Sequence, residues 1–600
     1  MRPPKRVDGF APIESYAAIG DGRTVALVAL DGSIDWLPIP GVDGLTVFGR
    51  LLDVERGGSF ALRPVGDYEV ERRYRPGTNL LETTFTTEGG VVTVTDALSL
   101  QDGGQLSWIE LVRRVQGKRG RVRLRYELRP RIDFGHEACE ITERAGAHLV
   151  SGGGIVVSFR AWDAGEPSAS SASIVGEVEA RKGSDAVLAC TCVKDELIPL
   201  PPRDEIEIRL ERTADAWQRW IDFHTYEGDW EPAVDRSLLA LKLLIRADTG
   251  AMTAAATTSL PERIGGDLNW DYRYAWLRDS AFVLDALGHL GYREQVHASL
   301  SWLLRATDAT HPRLHAFFRL DGSVPGPEQE LDLTGYRGSR PVRNGNGALE
   351  QLQLETYGDL LATIELYVHN GNALDELTGV RLAEIADHVC RVWENEDSGI
   401  WELDDLRHYT NSKINCWVAL DRALSLARAG EAPADHADQW REECARIRVW
   451  IDEQCWSERR AAYSFYAGTD DLDAAVLLAA HVGYLPADDP RLNSTVDAIR
   501  SELDAGGGLL YRYSGSREAE GAFVACSFWL AEAYARLGRL DEARETMTAL
   551  LELANDVGLY AEQIDPETKA FLGNFPQALT HLSLINAAIA IHRETEARGG

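Results

Sequence analysis

Two glutamates stand where the sequence could do sugar chemistry: Glu402 in GIWE and Glu562 in LYAEQ. Glycosidic bonds are broken by a pair of carboxyl groups, one protonating the leaving oxygen and the other activating water or attacking the anomeric carbon. Glu402 lies in EDSGIWELDDLRHYT and Glu562 in NDVGLYAEQIDPETKAFLGN, and with GGDLNWDYRYAWLRDS and GGGLLYRYSGSREAEG these stretches together are rich in Trp, Tyr, Asp, Glu and Arg. A pyranose stacks its apolar face on an aromatic ring, and its hydroxyls take bidentate bonds from Arg and carboxylate. Each residue alone has a plainer reading. A loop Glu is usually solvated, aromatic clusters are usually core, and Asp279 at a helix start answers the helix dipole. What counts is whether the chain brings these stretches to one place.

The elements that must position them are helices. From TADAWQRW onward, near residue 213, apolar residues recur at helical spacing, and twelve segments follow between residues 231 and 597. Connections alternate in length. Those after even-numbered segments are short (HLGYRE, LDELTG, AGEAPAD, GYLPADD, LGRLD), and those after odd-numbered segments are long and carry the aromatic and charged residues. Twelve helices in six hairpins close into an (α/α)6 barrel, in which every long connection emerges at one end. Glu402 and Glu562 follow the fifth and eleventh segments, half a turn apart around such a ring, so they can face each other across a pocket.

Before the helices the sequence has a different period. TVALVAL, SFALRPV, VVTVTDAL, RVRLRYELRP, GGIVVSFRAW and IEIRLERT are short, β-branched runs divided by DGS, EGG, QGKRG and SGGG. They predict an antiparallel β-sandwich over 1–220, followed by the α/α barrel over 221–600.

The formal charge is −32. It disfavours nucleic acid and anionic membranes as partners and is compatible with a neutral carbohydrate. No apolar run is long enough to span a bilayer, the N-terminus lacks a signal-peptide core, and the eight cysteines form no CxxC pair. These features predict a cytoplasmic protein with reduced thiols, no metal and no organic cofactor. Homo-oligomerisation is left open.

Several long blocks resemble bacterial members of glycoside hydrolase family 15, which includes glucoamylases, glucodextranases and certain trehalases. PIESYAAIGDGRTVALVALDGSIDWLPIP is similar to that family's bacterial N-terminal domain. NWDYRYAWLRDS, GYRGSRPVRNGNGALEQLQLETYG, GIWE, SKINCWVALDRA and LGNFPQALTHLSLINAA resemble blocks of its catalytic domain. The resemblance spans almost the whole chain and implies the same plan, a sandwich followed by a barrel. It implies Glu402 as general acid, Glu562 as general base and Tyr272 as a holder of the nucleophilic water. Arg278 and Asp279 correspond to a pair that binds hydroxyls of the terminal glucose, with Trp276 and Trp401 in the same pocket. Arg340 falls where fungal glucoamylases place a tryptophan that supports the acid, and this departure bears on the second sugar site. Gln563 and Ile564 replace a Glu-Tyr pair found in many bacterial relatives, which leaves Glu562 as the base.

The expected reaction is inverting, exo-acting hydrolysis of an α-glucoside, trehalose before short α-glucans, with release of β-glucose. Inversion needs the two carboxyl groups about 6.5–9.5 Å apart, so that water fits between the base and the anomeric carbon. A glycoside phosphorylase of similar plan would need a phosphate site in place of Glu562. A non-catalytic sugar-binding protein would be expected to have lost one carboxylate.

Overall fold

The computed structural model describes residues 2–100 and 106–599. Its N-terminal part is antiparallel throughout, and one long strand, Ile109–Arg129, belongs to both layers. The first half of this strand pairs with Gly90–Leu98 and Asp185–Lys194, and the second half with Ser59–Pro64 and Ile174–Arg181. The layers meet through Phe159 of one, which lies 5.9 Å from Phe60 and 5.7 Å from Tyr126 of the other. Inside, Arg113 and Asp96 form a 2.7 Å ion pair with each side chain 1% exposed, and the guanidinium also donates to the carbonyls of Gly32 and Phe60. Such a pair persists in a core because its remaining donors are satisfied as well.

One sequence expectation fails here. IEIRLERT is not a strand but part of helix α1, Arg203–Ile221. Ile206, Leu210, Thr213, Ala214, Trp217 and Ile221 are buried on one face, whereas Ile208 is 51% exposed. The alternation of three apolar residues imitated a strand, and the longer helical period decided the outcome.

Among the described residues twelve further α-helices follow: α2 Glu231–Leu244, α3 Leu277–His289, α4 Arg293–Thr307, α5 Glu355–His369, α6 Glu376–Val392, α7 Thr410–Ala429, α8 Ala437–Gln454, α9 Leu478–His481, α10 Pro490–Glu502, α11 Val524–Arg536, α12 Leu540–Leu551 and α13 Ala578–Gly599. Helices α3, α5, α7, α9, α11 and α13 contact one another in sequence, and α13 returns to α3, closing an inner ring. The others lie outside it. Inner helices are buried nearly all round, as in α11, where every residue from Val524 to Ala535 is buried. Two inner elements are shorter than their periodicity predicts. The segment expected from residue 348 becomes helical only at Glu355, because Gly347–Glu350 forms a 3-10 turn. The segment expected over 471–483 is a 3-10 turn, Ala474–Leu477, capped by Asp473 and followed by the single turn of α9.

All the inner helices begin at the same end. That end carries the long connections, so the first turn of α3 and the segments leading into α7 and α13 open onto one cavity.

Candidate active site

Tyr272, Trp276, Arg278, Asp279, Trp401, Glu402 and Glu562 all line this cavity, whose volume is about 450 Å³. Arg340 does not. Its side chain is exposed, beside Pro341 and Val342 on a neighbouring surface hollow, and Arg343 lines the cavity instead. Arg343 pairs with Glu328 and lies 4.5 Å over the ring of Trp270. The chain turns sharply at Arg337, which has φ +50°, so a residue's distance along the loop is a poor guide to where it points.

Glu402 is held from three sides. Its Oε1 accepts the indole N–H of Trp276 at 2.6 Å and lies 3.9 Å from Nη1 of Arg278. Its backbone carbonyl accepts from Gln351 at 3.0 Å. The residue sits at φ +59°, the left-handed region a non-glycine residue rarely occupies. Such strain persists only where the surroundings over-determine it. Burial raises its pKa above the ordinary glutamate value, opposed by Arg278 and the Trp276 bond and helped by the charge of Asp279. Arg278 ties the region together, donating to the carbonyl of Ile400 at 2.8 Å and to Asp279 at 3.2 Å.

Glu562 is 2% exposed. Gln577, just before α13, donates to it at 3.5 Å. Gly573, at φ +73°, packs so closely that a Cβ there would lie 2.4 Å from Oε2 of Glu562. Burial raises the Glu562 pKa, the charge of Glu262 raises it further, and Arg512 and a hydrogen bond from Tyr272 pull it down.

Glu262 and Arg512 had no role in the sequence reading. Arg512 lies in YRYSGS, within a long connection already marked, and donates to Glu520 at 2.8 Å and to Glu262 at 2.9 Å. Its guanidinium lies 5.4 Å over the ring of Trp401. Glu262, in SLPER, is 1% exposed and also accepts from Gln563 at 2.8 Å. No local pattern marks it, because its partners are hundreds of residues away. Trp401 in turn donates to Asp473 at 2.8 Å, and burial pushes that carboxyl up to about 7. The cavity thus offers a part-buried carboxyl held by an indole on one side and, on the other, a buried carboxyl that burial and Glu262 push up to about 8 against the pull of Arg512. Aromatic side chains line the same cavity, and cleavage of a glycoside needs such a pair of carboxyl groups. Among the described residues no group of three or more His, Cys, Asp or Glu is arranged to hold a metal ion.

Residues 231–589 match the family model "Glycosyl hydrolases family 15", and residues 7–217 match "Trehalase-like, N-terminal". The chain belongs to glycosyl hydrolase family 15. It is a glycoside hydrolase, and curated relatives agree along nearly its whole length. A trehalase of Mycolicibacterium smegmatis is 35% identical over 98% of this chain and 92% of its own. One of Mycobacterium tuberculosis is 35% identical over 98% and 90%, and one of Thermoplasma volcanium is 32% identical over 97% and 94%. In fold, this family 15 chain matches a bacterial glucoamylase complexed with acarbose, with a TM-score of 0.71 at 13% identity, over 100% of this chain and 98% of that one. That match bears out the sandwich-plus-barrel plan. No helix among the described residues is long and apolar enough to cross a membrane.

Proposed function

We propose that this family 15 chain hydrolyses trehalose with inversion at one anomeric centre, using Glu402 as acid and Glu562 as base. The observation that carries this is the shared cavity: the part-buried carboxyl of Glu402 and the buried one of Glu562 reach it from the connections into α7 and α13, and Trp276 and Arg278 fix the acid. Glu402 gives its proton to the bridging oxygen. Glu562 takes a proton from water as that water attacks the anomeric carbon from the opposite face, and Tyr272 helps to hold the water. Arg278 and Asp279 hold hydroxyls of the ring that is attacked, with Trp276 and Trp401 as walls. Arg340 takes no part. Trehalose is preferred to short α-glucans because the relatives that match nearly the full length are named trehalases.

The test is a panel of α-linked disaccharides, each with and without phosphate, followed by nuclear magnetic resonance from the first minutes. Trehalose should yield α- and β-glucose in equal amounts before mutarotation. Two α-glucose molecules would mean retention. Glucose phosphate formed only when phosphate is present would mean a phosphorylase.

A further inference from the structure

The task of the sandwich is not given by its own surface but by what it grips. The connection that carries Glu562 leaves α12 at about residue 552 and returns to α13 at 578, and the sandwich holds it at both ends. On the outward leg, Asn555 donates its side-chain amide to the carbonyls of Glu14 at 3.2 Å and Tyr16 at 2.8 Å. The next residue, Asp556, takes a bidentate pair from Arg72, whose side chain is 0% exposed, at 2.8 and 2.6 Å. On the return leg, the backbone N–H of Phe571 donates to the Glu14 carboxylate at 3.3 Å. Between these points Gln563–Ile564 pairs with Phe571–Leu572, so the strand that follows Glu562 is hydrogen-bonded to the strand that Glu14 touches.

These bonds concern placement more than cohesion. The two domains also meet elsewhere, for example where Asn79 donates to the carbonyl of Leu239 in α2 at 3.0 Å. Among the described residues, the hydrogen bonds and ion pair that join the sandwich to the segment bearing the base are those at Glu14, Tyr16 and Arg72. The opposite oxygen of Asn555 is already used within the loop, accepting from Val557 at 3.1 Å and Leu559 at 2.9 Å. The same side chain therefore shapes the turn and clips it to the sandwich.

We infer that the N-terminal sandwich is a brace for the catalytic base, with Glu14, Asn555 and the Arg72–Asp556 pair as positioning residues acting through Glu562. This rests on Glu562 being the base. A base displaced by about 1 Å loses on the order of a hundredfold in rate, because attack geometry is steep.

The test compares full-length Glu14→Ala, Asn555→Asp and Glu14→Gln on trehalose and on α-glucosyl fluoride, with Asn79→Ala as an interface control and Glu562→Ala alongside. Fluoride leaves with little help from an acid, whereas both substrates need the base. Asn555→Asp keeps the acceptor that shapes the turn and loses the donors to the sandwich, so it carries the test if Glu14→Ala does not accumulate. We expect Glu14→Ala and Asn555→Asp to lose about tenfold or more in kcat by the same factor on both substrates, with KM little changed. Glu14→Gln, which keeps an oxygen for Phe571, should recover most of the rate. Asn79→Ala should lower Tm and keep kcat. If Glu562→Ala is inactive while Glu14→Ala and Asn555→Asp keep kcat and lose only Tm, the brace is wrong and the base assignment stands. If the loss is confined to trehalose, the contacts serve the acid and the brace is again wrong. If Glu562→Ala retains turnover, the base assignment fails and the brace fails with it.

Discussion

Trp276 donates its indole N–H to Oε1 of Glu402 at 2.6 Å while its ring lies stacked on Phe317, 4.7 Å between centroids. The stack fixes the indole and the indole fixes the carboxyl, so the orientation of the acid is set before substrate arrives. A hydrogen bond to the ionised form also lowers a carboxyl pKa.

Trp276→Phe keeps most of the stacking and removes the donor. The Glu402 pKa, already raised by burial, should rise further. Well above both catalytic pKa values the rate follows the fraction of Glu402 still protonated, so the alkaline arm of kcat/KM against pH should move up by about one unit. An arm that stays put or moves down would show that this bond does not govern the acid.

On the other side of the cavity the sign is opposite. Glu262 raises the Glu562 pKa, and Arg512 lowers it while paired to Glu262. Glu262→Gln removes a like charge and frees Arg512 to act on Glu562, and both effects favour the ionised base. Well below both pKa values the rate follows the ionised fraction of Glu562, so the acid arm should shift to lower pH by about one unit or more. Unchanged acid-side rates would place Glu262 outside the electrostatics of the base.

How far the sequence announced this site depends on the kind of signal. Apolar spacing reports what a helix buries, and it therefore gave the ring of α2 to α13 and the end at which Glu402 and Glu562 emerge. It failed at IEIRLERT, where three apolar residues fit two periods, and at the start of α5, where Ala348 and Gln351 line the cavity instead of extending the helix. Residues from long recognisable blocks, Tyr272, Trp276, Arg278 and Asp279 with Trp401 and Glu402, converge as a group. Arg340 shows the limit: a loop with a positive-φ turn sends Arg343 inward and leaves Arg340 outside. Glu262 had no signal at all, because a carboxylate defined by Arg512 and Gln563 exists as a feature only after folding.

Gly573 supplies a test of base placement from inside the barrel. An added methyl would lie 2.7 Å from Cβ of Glu562, and a Cβ cannot swing aside as a side-chain tip can. The residue also has φ +73°, so alanine there costs about 1–2 kcal/mol of backbone strain. Gly573→Ala should fold with a modestly lower Tm and lose about a hundredfold in kcat, with KM within a few-fold of the parent. Full activity would mean that Glu562 tolerates displacement, and the demand for a fixed base would be unfounded.

The strongest demand on geometry falls on Arg278. One guanidinium donates to the Ile400 carbonyl at 2.8 Å and to Asp279 at 3.2 Å, and it stands 3.9 Å from Glu402. The Ile400 bond holds the backbone two residues before the acid, the Asp279 bond holds a carboxylate proposed to bind sugar, and the charge restrains the rise in the Glu402 pKa. Arg278→Lys keeps the charge and loses the planar fork, so a single ammonium cannot make both bonds. The folded barrel should survive, because the buried charge keeps Asp279 beside it. Turnover should not, since both the sugar and the acid lose their alignment. We expect kcat/KM on trehalose to fall about a hundredfold, equivalent to about 2.7 kcal/mol, from changes in both kcat and KM. Circular dichroism and Tm should stay close to the parent. On α-glucosyl fluoride the part of the loss due to the acid should disappear and the part due to sugar binding should remain. A variant that recovers fully on the fluoride would confine Arg278 to the acid, and one that recovers nothing would confine it to the sugar. A kcat/KM on trehalose within twofold of the parent would remove Arg278 from the site.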